Sequence, residues 1–157
     1  MVIGNQDIME YVKNFRDLEV YKLSRQLSKE IFDVSGKFPR EEMYSLTDQM
    51  RRSSRSIGAQ IAEAWGKRKY EKHFISKLTD SDAEQLETQH WIEIARDCSY
   101  VSNELANSLI QQSCSIGKML NSMMNKAESF CAKSDLQEPL TEYRSLITEY
   151  RLPNTDY

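Results

Sequence analysis

Proline is scarce in this 157-residue chain: only Pro39, Pro139 and Pro153 occur, so no ring breaks a helix between the first two. Glycine is almost as rare, with Gly36, Gly58, Gly66 and Gly117 in the central stretch, which excludes a glycine-rich phosphate loop. The three cysteines, Cys98, Cys114 and Cys131, are odd in number and lack Cys-x-x-Cys spacing. That excludes a disulfide framework and a zinc site; they are expected as ordinary thiols, at least two of them partly buried on helices. No apolar run approaches the roughly 18 residues of a spanning helix, and Met1 to Tyr11 has neither the basic start nor the apolar segment of a signal peptide. The expected compartment is the cytoplasm. With 39% hydrophobic and 29% charged residues and a mean hydropathy of −0.65, the composition is that of one globular domain with a core of its own.

What is present is helical periodicity. Residues 1–14 carry no period and are read as an arm. Leu18, Tyr21, Leu27, Ile31 and Val34 predict a first helix from Arg16 to Ser35, stopped by Gly36. Leu46, Met50, Ile57, Ile61 and Ala64 predict a second, ending at Gly66, whose small residues Ser53, Ser54, Ser56, Gly58, Ala59 and Ala62 allow a neighbour to approach closely. The third, from Lys69 to Cys98, has an imperfect stripe of Phe74, Ile75, Leu78, Leu86, Ile92 and Ala95. Thr79, Asp82 and Gln89 fall at core depth in it, where hydrogen-bonded polar contacts are expected. The fourth starts with Ser102 as N-cap and Glu104 in its first turn and runs through Leu105, Leu109, Ile116, Met119, Leu120, Met123 and Ala127. The short Ser99–Val101 connection makes the last two antiparallel neighbours. The fold expected over 15–130 is therefore an all-α, antiparallel up-down four-helix bundle. A tail over 131–157 follows, with Leu140, Tyr143, Leu146, Ile147 and Tyr150 outlining a short helix that either straps the bundle or docks a partner.

The charge is divided along the chain. Arg51 to Lys77 holds eight Lys/Arg and two acids, and Leu78 to Glu104 one Arg and seven acids. Arg51, Arg52 and Arg55 lie opposite the apolar stripe of helix 2, and with Lys67, Arg68, Lys69 and Lys72 at the following turn they are candidates for a nucleic-acid surface, since guanidinium groups suit phosphate. The competing reading pairs the arginines with Asp80, Asp82, Glu84 and Glu87, within the subunit or across an interface. Asp80, Asp82, Glu87 and Gln89 are then a polar or interface network. Trp65, Tyr70 and Trp91 read as core or interface anchors rather than base-stacking platforms.

Enzyme chemistry finds no support in these residues. Glu87-x-x-His90 has the spacing of a di-iron ligand pair, but the other histidine, His73, follows Tyr70 rather than Glu, so the set is incomplete. Asp80-Ser-Asp82-Ala-Glu84 has the alternation of a calcium loop, but Gln85 replaces the turn glycine and Trp91 the twelfth-position Glu. No nucleophile motif is present. No metal, cofactor or small-molecule substrate is expected.

Taken together, Asn14-Phe-Arg-Asp-Leu-Glu-Val-Tyr, Phe38-Pro-Arg-Glu-Glu-Met-Tyr-Ser-Leu-Thr-Asp-Gln-Met-Arg-Arg52, Ser56-Ile-Gly-Ala-Gln-Ile-Ala-Glu63, Ser76-Lys-Leu-Thr-Asp80, Glu87-Thr-Gln89 and Ile116-Gly-Lys-Met-Leu120 resemble one family. It is the four-helix-bundle family encoded in intervening sequences of bacterial 23S rRNA genes, which includes the accessory variability protein of diversity-generating retroelements. The resemblance covers Asn14 to Phe130. It implies a ring-shaped homopentamer and, for the retroelement members, a basic surface engaging nucleic acid and a reverse transcriptase. The chain departs from the family with Gly58 for Pro, Gln60 for Asn and Ala64 for Gly, which implies a straighter helix 2, and it is less basic than the retroelement members. The function expected is binding of RNA or a nucleoprotein partner through helix 2 and the helix 2–3 turn. The alternative is a protein-interaction scaffold without nucleic-acid affinity.

Overall fold

Helix α1 (Glu19–Ser35) is preceded by one 3-10 turn, Phe15–Asp17, because Asn14 and Asp17 cap each other. The Asn14 carboxamide accepts from the Arg16 N–H at 2.9 Å, and Asp17 Oδ2 accepts from the Asn14 N–H at 3.1 Å, so the helix begins later than the expected Arg16. The computed structural model describes residues 12–131; the tail helix expected between Pro139 and Pro153 and most of the N-terminal arm lie outside the described residues. Gly36 ends α1 as expected, but in a right-handed conformation (φ −64°). The stop comes from the Lys37 N–H turning back to the Val34 carbonyl, not from glycine's left-handed freedom.

Helix α2 (Leu46–Gly66) buries Leu46, Met50, Ile57, Ile61 and Ala64, the whole of its expected stripe. Helix α3 (Glu71–Asp97) turns into α4 (Asn103–Asn125) through Ser99 at φ 60°, and the Tyr100 N–H reaches back to the Ala95 carbonyl at 2.9 Å. This is a Schellman closure with serine at the position that glycine usually takes. Ser102 caps α4, accepting from the Leu105 N–H at 3.1 Å. The expected continuation through Ala127 is broken at Lys126, after which α5 (Ala127–Phe130) stacks Phe130 on Phe74, centroids 5.8 Å apart.

The four long helices follow one another around the bundle, each against its sequence neighbour, with α4 closing on α1 and no close backbone approach across either diagonal. The described residues are all-helical, and the core runs down the axis from Val101 and Phe38 to Phe74 and Ala127. The α2–α3 contact is the broadest and α4–α1 the thinnest.

Helix α3 departs from its expected stripe. Leu86 is 56% exposed, and the polar residues at core depth are Ser81, Gln85 and Thr88 rather than Thr79, Asp82 and Gln89. The physical reason is that α3 is gripped from two sides, so no single stripe describes it. Toward α2, the Ser81 hydroxyl donates to the Ile57 carbonyl at 2.9 Å, and Thr88 Oγ1 bonds Ser53 Oγ at 2.9 Å. Toward α4, Gln89 Nε2 donates to Gln85 Oε1 (2.7 Å) and Gln85 Nε2 to Asp82 Oδ1 (3.0 Å), over Gly117. No buried side-chain nitrogen or oxygen among the described residues lacks a partner. The cysteines also depart from expectation: Cys98 and Cys114 are exposed and only Cys131 is half-buried. Cys98 sits past the end of α3, and Cys114 falls on the outward face of α4.

Candidate nucleic-acid interface

Antiparallel packing turns the charge blocks of the sequence into an axial gradient. The start of α1, the end of α2, the start of α3 and the end of α4 share one end of the bundle, which carries Arg16, Lys67, Arg68, Lys69, Lys72 and Lys126, with Asp17, Glu71 and Glu128 among them. The other end carries Glu41, Glu42, Asp48, Glu93, Asp97 and Glu104 against Lys37, Arg40 and Arg96. At this end Lys67, Arg68 and Lys69 follow the carbonyl terminus of α2 and Lys126 that of α4, where partial negative charge favours them, whereas Arg16 and Lys72 lie at the amino ends of α1 and α3, where the dipole opposes them.

Lys67, Lys69 and Lys72 are exposed, and neither they nor Arg68 forms an ion pair with another described residue. Arg68 is already engaged. Its guanidinium lies 3.5 Å over the Trp65 ring, and its Nε donates to the Trp65 carbonyl at 2.8 Å, sealing the end of α2. Burial lowers its pKa, partly offset by the neighbouring Cys131, and burial pushes the Cys131 thiol up. Trp65 is thus buried under Arg68 as an anchor, in keeping with its core reading, while Tyr70 packs edge-on against His73.

The three helix 2 arginines do not share one surface. At about 100° per residue, Arg51 and Arg52 diverge, and side-chain length does the rest. Arg51 is half-buried against α1, its Nε donating to Ser35 Oγ at 2.8 Å and its guanidinium 4.5 Å over the Phe32 ring. Arg55 reaches the same ring from 5.8 Å. Arg52 turns to the α3 side, where its charge only partly offsets the burial and the neighbouring carboxylates that raise the pKa of Glu84. Pairing within the subunit with Asp80, Asp82, Glu84 or Glu87 is not what the structure shows: among the described residues none of the three arginines forms an ion pair. Their partners are an aromatic ring and a hydroxyl because α1, not α3, lies under Arg51 and Arg55.

The acids have other partners. Lys77 holds Glu63 at 3.0 Å and Asp80 at 3.3 Å, and these contacts, Glu63 first, raise the lysine above its ordinary pKa. Asp82 and Gln89 join through Gln85 on the α4 side, whereas Glu87 accepts from Trp91 Nε1 at 3.0 Å. The proposed network of Asp80, Asp82, Glu87 and Gln89 is therefore split between two faces. His90 packs edge-on against Trp91, and among the described residues no three His, Cys, Asp or Glu side chains converge.

Residue patterns did not reveal Phe32, 43% exposed beneath two arginines, nor the open groove of about 210 Å³ beside it, whose lining includes Tyr21, Arg25, Ser28, Arg55, Gly58 and Ala62. Its only sequence signal was the run of small residues in helix 2.

The model of the 23S rRNA-intervening sequence protein family matches residues 16–122. A crystal structure at 1.70 Å of a protein with unknown function from the S23 ribosomal protein family, from Bacteroides thetaiotaomicron VPI-5482, is 29% identical, with a TM-score of 0.62 over 68% of this chain and 95% of that one. No curated protein matches the chain. Among the described residues no helix is long and apolar enough to cross a membrane.

Proposed function

The chain belongs to the 23S rRNA-intervening sequence protein family, and we propose that it is a non-catalytic, ring-forming bundle, a homopentamer, that binds RNA phosphates in the cytoplasm. The observation carrying this reading is the gathering of Lys67, Lys69 and Lys72 at one bundle end, exposed and without ion-pair partners among the described residues. Arg16 and Lys126 extend the patch. Arg51, Arg52 and Arg55 contribute field more than contact, since two of them lean on α1. The resemblance to the accessory variability protein of diversity-generating retroelements extends the reading to a reverse-transcriptase-like partner that shares the RNA.

Lys67→Ala, Lys69→Ala and Lys72→Ala together should weaken binding of a single-stranded oligouridylate, followed by fluorescence anisotropy across a salt series. Each lost phosphate contact removes about 0.7 from the log–log salt slope, so the triple variant should lose about 2. An unchanged slope would put the RNA elsewhere. A wild-type protein that binds no RNA would leave a protein-interaction scaffold.

A further inference from the structure

The groove between α1 and α2 is filled by no side chain among the described residues, and its lining there holds two cations, Arg25 and Arg55, and no acid. Its floor of Ser28, Ser54, Gly58, Ala59 and Ala62 is low enough for a second helix to lie against it. At one edge stands Phe32, half out of the protein, with Arg51 and Arg55 over its ring. On the far side of α2, helix α3 presents the reverse: Glu84 and Glu87, which form no ion pair among the described residues, beside exposed Ala83 and the 56%-exposed Leu86. Burial of Glu84, and after it the crowding by Glu87, keeps the Glu84 carboxyl above its ordinary pKa, and Arg52 only partly offsets this.

We infer that the α1–α2 groove receives the α3 ridge of a second copy of this chain, with Arg25 and Arg55 facing Glu84 and Glu87 and Phe32 meeting the Ala83–Leu86 step. This deepens the ring-forming reading and rests on it. Charge complementarity is one argument, and height is the other. The Ser53–Thr88 and Ser81–Ile57 bonds fix residues 53–57 of α2 level with residues 81–88 of α3. The Arg51–Ser35 bond fixes Phe32 close to that level as well. The Ser54–Arg55 part of the groove, with Phe32 at its edge, thus lies level with the ridge on a different side of the bundle. A contact between unlike patches at equal height repeats by rotation with little translation, so it closes into a ring instead of climbing into a filament. All basic ends would then lie on one side of that ring.

The test is reciprocal charge reversal, read by light scattering, with helical circular dichroism confirming that each variant is folded. Wild type should scatter as about five 18.4 kDa subunits. R25E/R55E and E84R/E87R should each fall to the single subunit, and the four changes in one chain should restore assembly. Should a reversal fail to fold, Arg55→Gln and Glu87→Gln serve instead, each weakening association by about tenfold, with the double variant no weaker than either. A wild-type oligomer that survives both reversals, or that they dissolve without rescue, overturns this pairing while leaving the ring. A wild-type monomer overturns the ring itself.

Discussion

Gly58 allows a test of how closely α1 and α2 approach. A Cβ added there would stand 2.9 Å from Ser24 Oγ, nearer than such atoms come, while its next neighbours, Tyr21 Cε2 at 3.6 Å and Ser24 Cβ at 3.9 Å, are ordinary contacts. Ser24 has little room to yield, being buried with its hydroxyl donating to the Tyr21 carbonyl at 2.7 Å. Two terms oppose each other in Gly58→Ala. Helix propensity favours alanine by up to about 1 kcal/mol, and overpacking in a tight core costs about 1–3 kcal/mol. The expected net is a loss of about 1 kcal/mol, a fall in Tm of about 3–5 °C for a domain of this size. Ser24→Ala removes the one offending atom, so in that background Gly58→Ala should gain stability by about 0.5–1 kcal/mol. Thermal and urea melts of the four proteins give the coupling directly, expected at about 1.5 kcal/mol or more. If Gly58→Ala stabilises equally in both backgrounds, Ser24 Oγ is not the limiting contact and the account of the α1–α2 approach is wrong.

Ser99→Gly should raise stability by about 1 kcal/mol in urea melts, because serine at φ 60° bears a left-handed strain that glycine does not; a loss would mean that the Ser99 side chain contributes more than the strain costs. Glu84→Gln should stabilise the isolated subunit at neutral pH. A carboxyl whose folded pKa is raised favours folding while protonated and loses that advantage as pH rises from its unfolded value through the raised one. The gain should therefore fade below the ordinary carboxylate range, and a pH-independent gain would assign it to packing.

How far the sequence could be read depended on how many neighbours an element has. Helix α2 showed its stripe plainly, since Leu46, Met50, Ile57, Ile61 and Ala64 all point to one core. Helix α3 did not, because Ser81 and Thr88 serve α2 while Gln85 serves α4, and a residue such as Leu86 can sit between the two grips facing outward. Cap chemistry is local, so Ser102 was legible; the Lys126 break has no comparable signal. The candidate site was half legible. Lys67, Lys69 and Lys72 are neighbours in sequence and stay neighbours in space, whereas the separation of Arg51 from Arg52 depends on which helix lies beneath each, and Arg25 joins Arg55 only through packing. The identity of the acids' partners, Lys77 above all, is equally a matter of tertiary geometry.

The unequal seams of the bundle bear on how it opens. Helices α2 and α3 are joined by a tight turn, share the broadest contact and are pinned by side-chain bonds at two levels, while α1 and α4, far apart in sequence, meet along the thinnest contact. Thermal fluctuations should then part the molecule first between its outer helices, as a book opens at its fore-edge, with the α2–α3 hairpin as the spine. Amide protons along Ile57–Ile61 and Leu78–Thr88 would be the slowest to exchange with solvent. The surface freed earliest would be the inner face of α1, whose outer face lines the groove, so that loosening α1 and emptying the groove become one event.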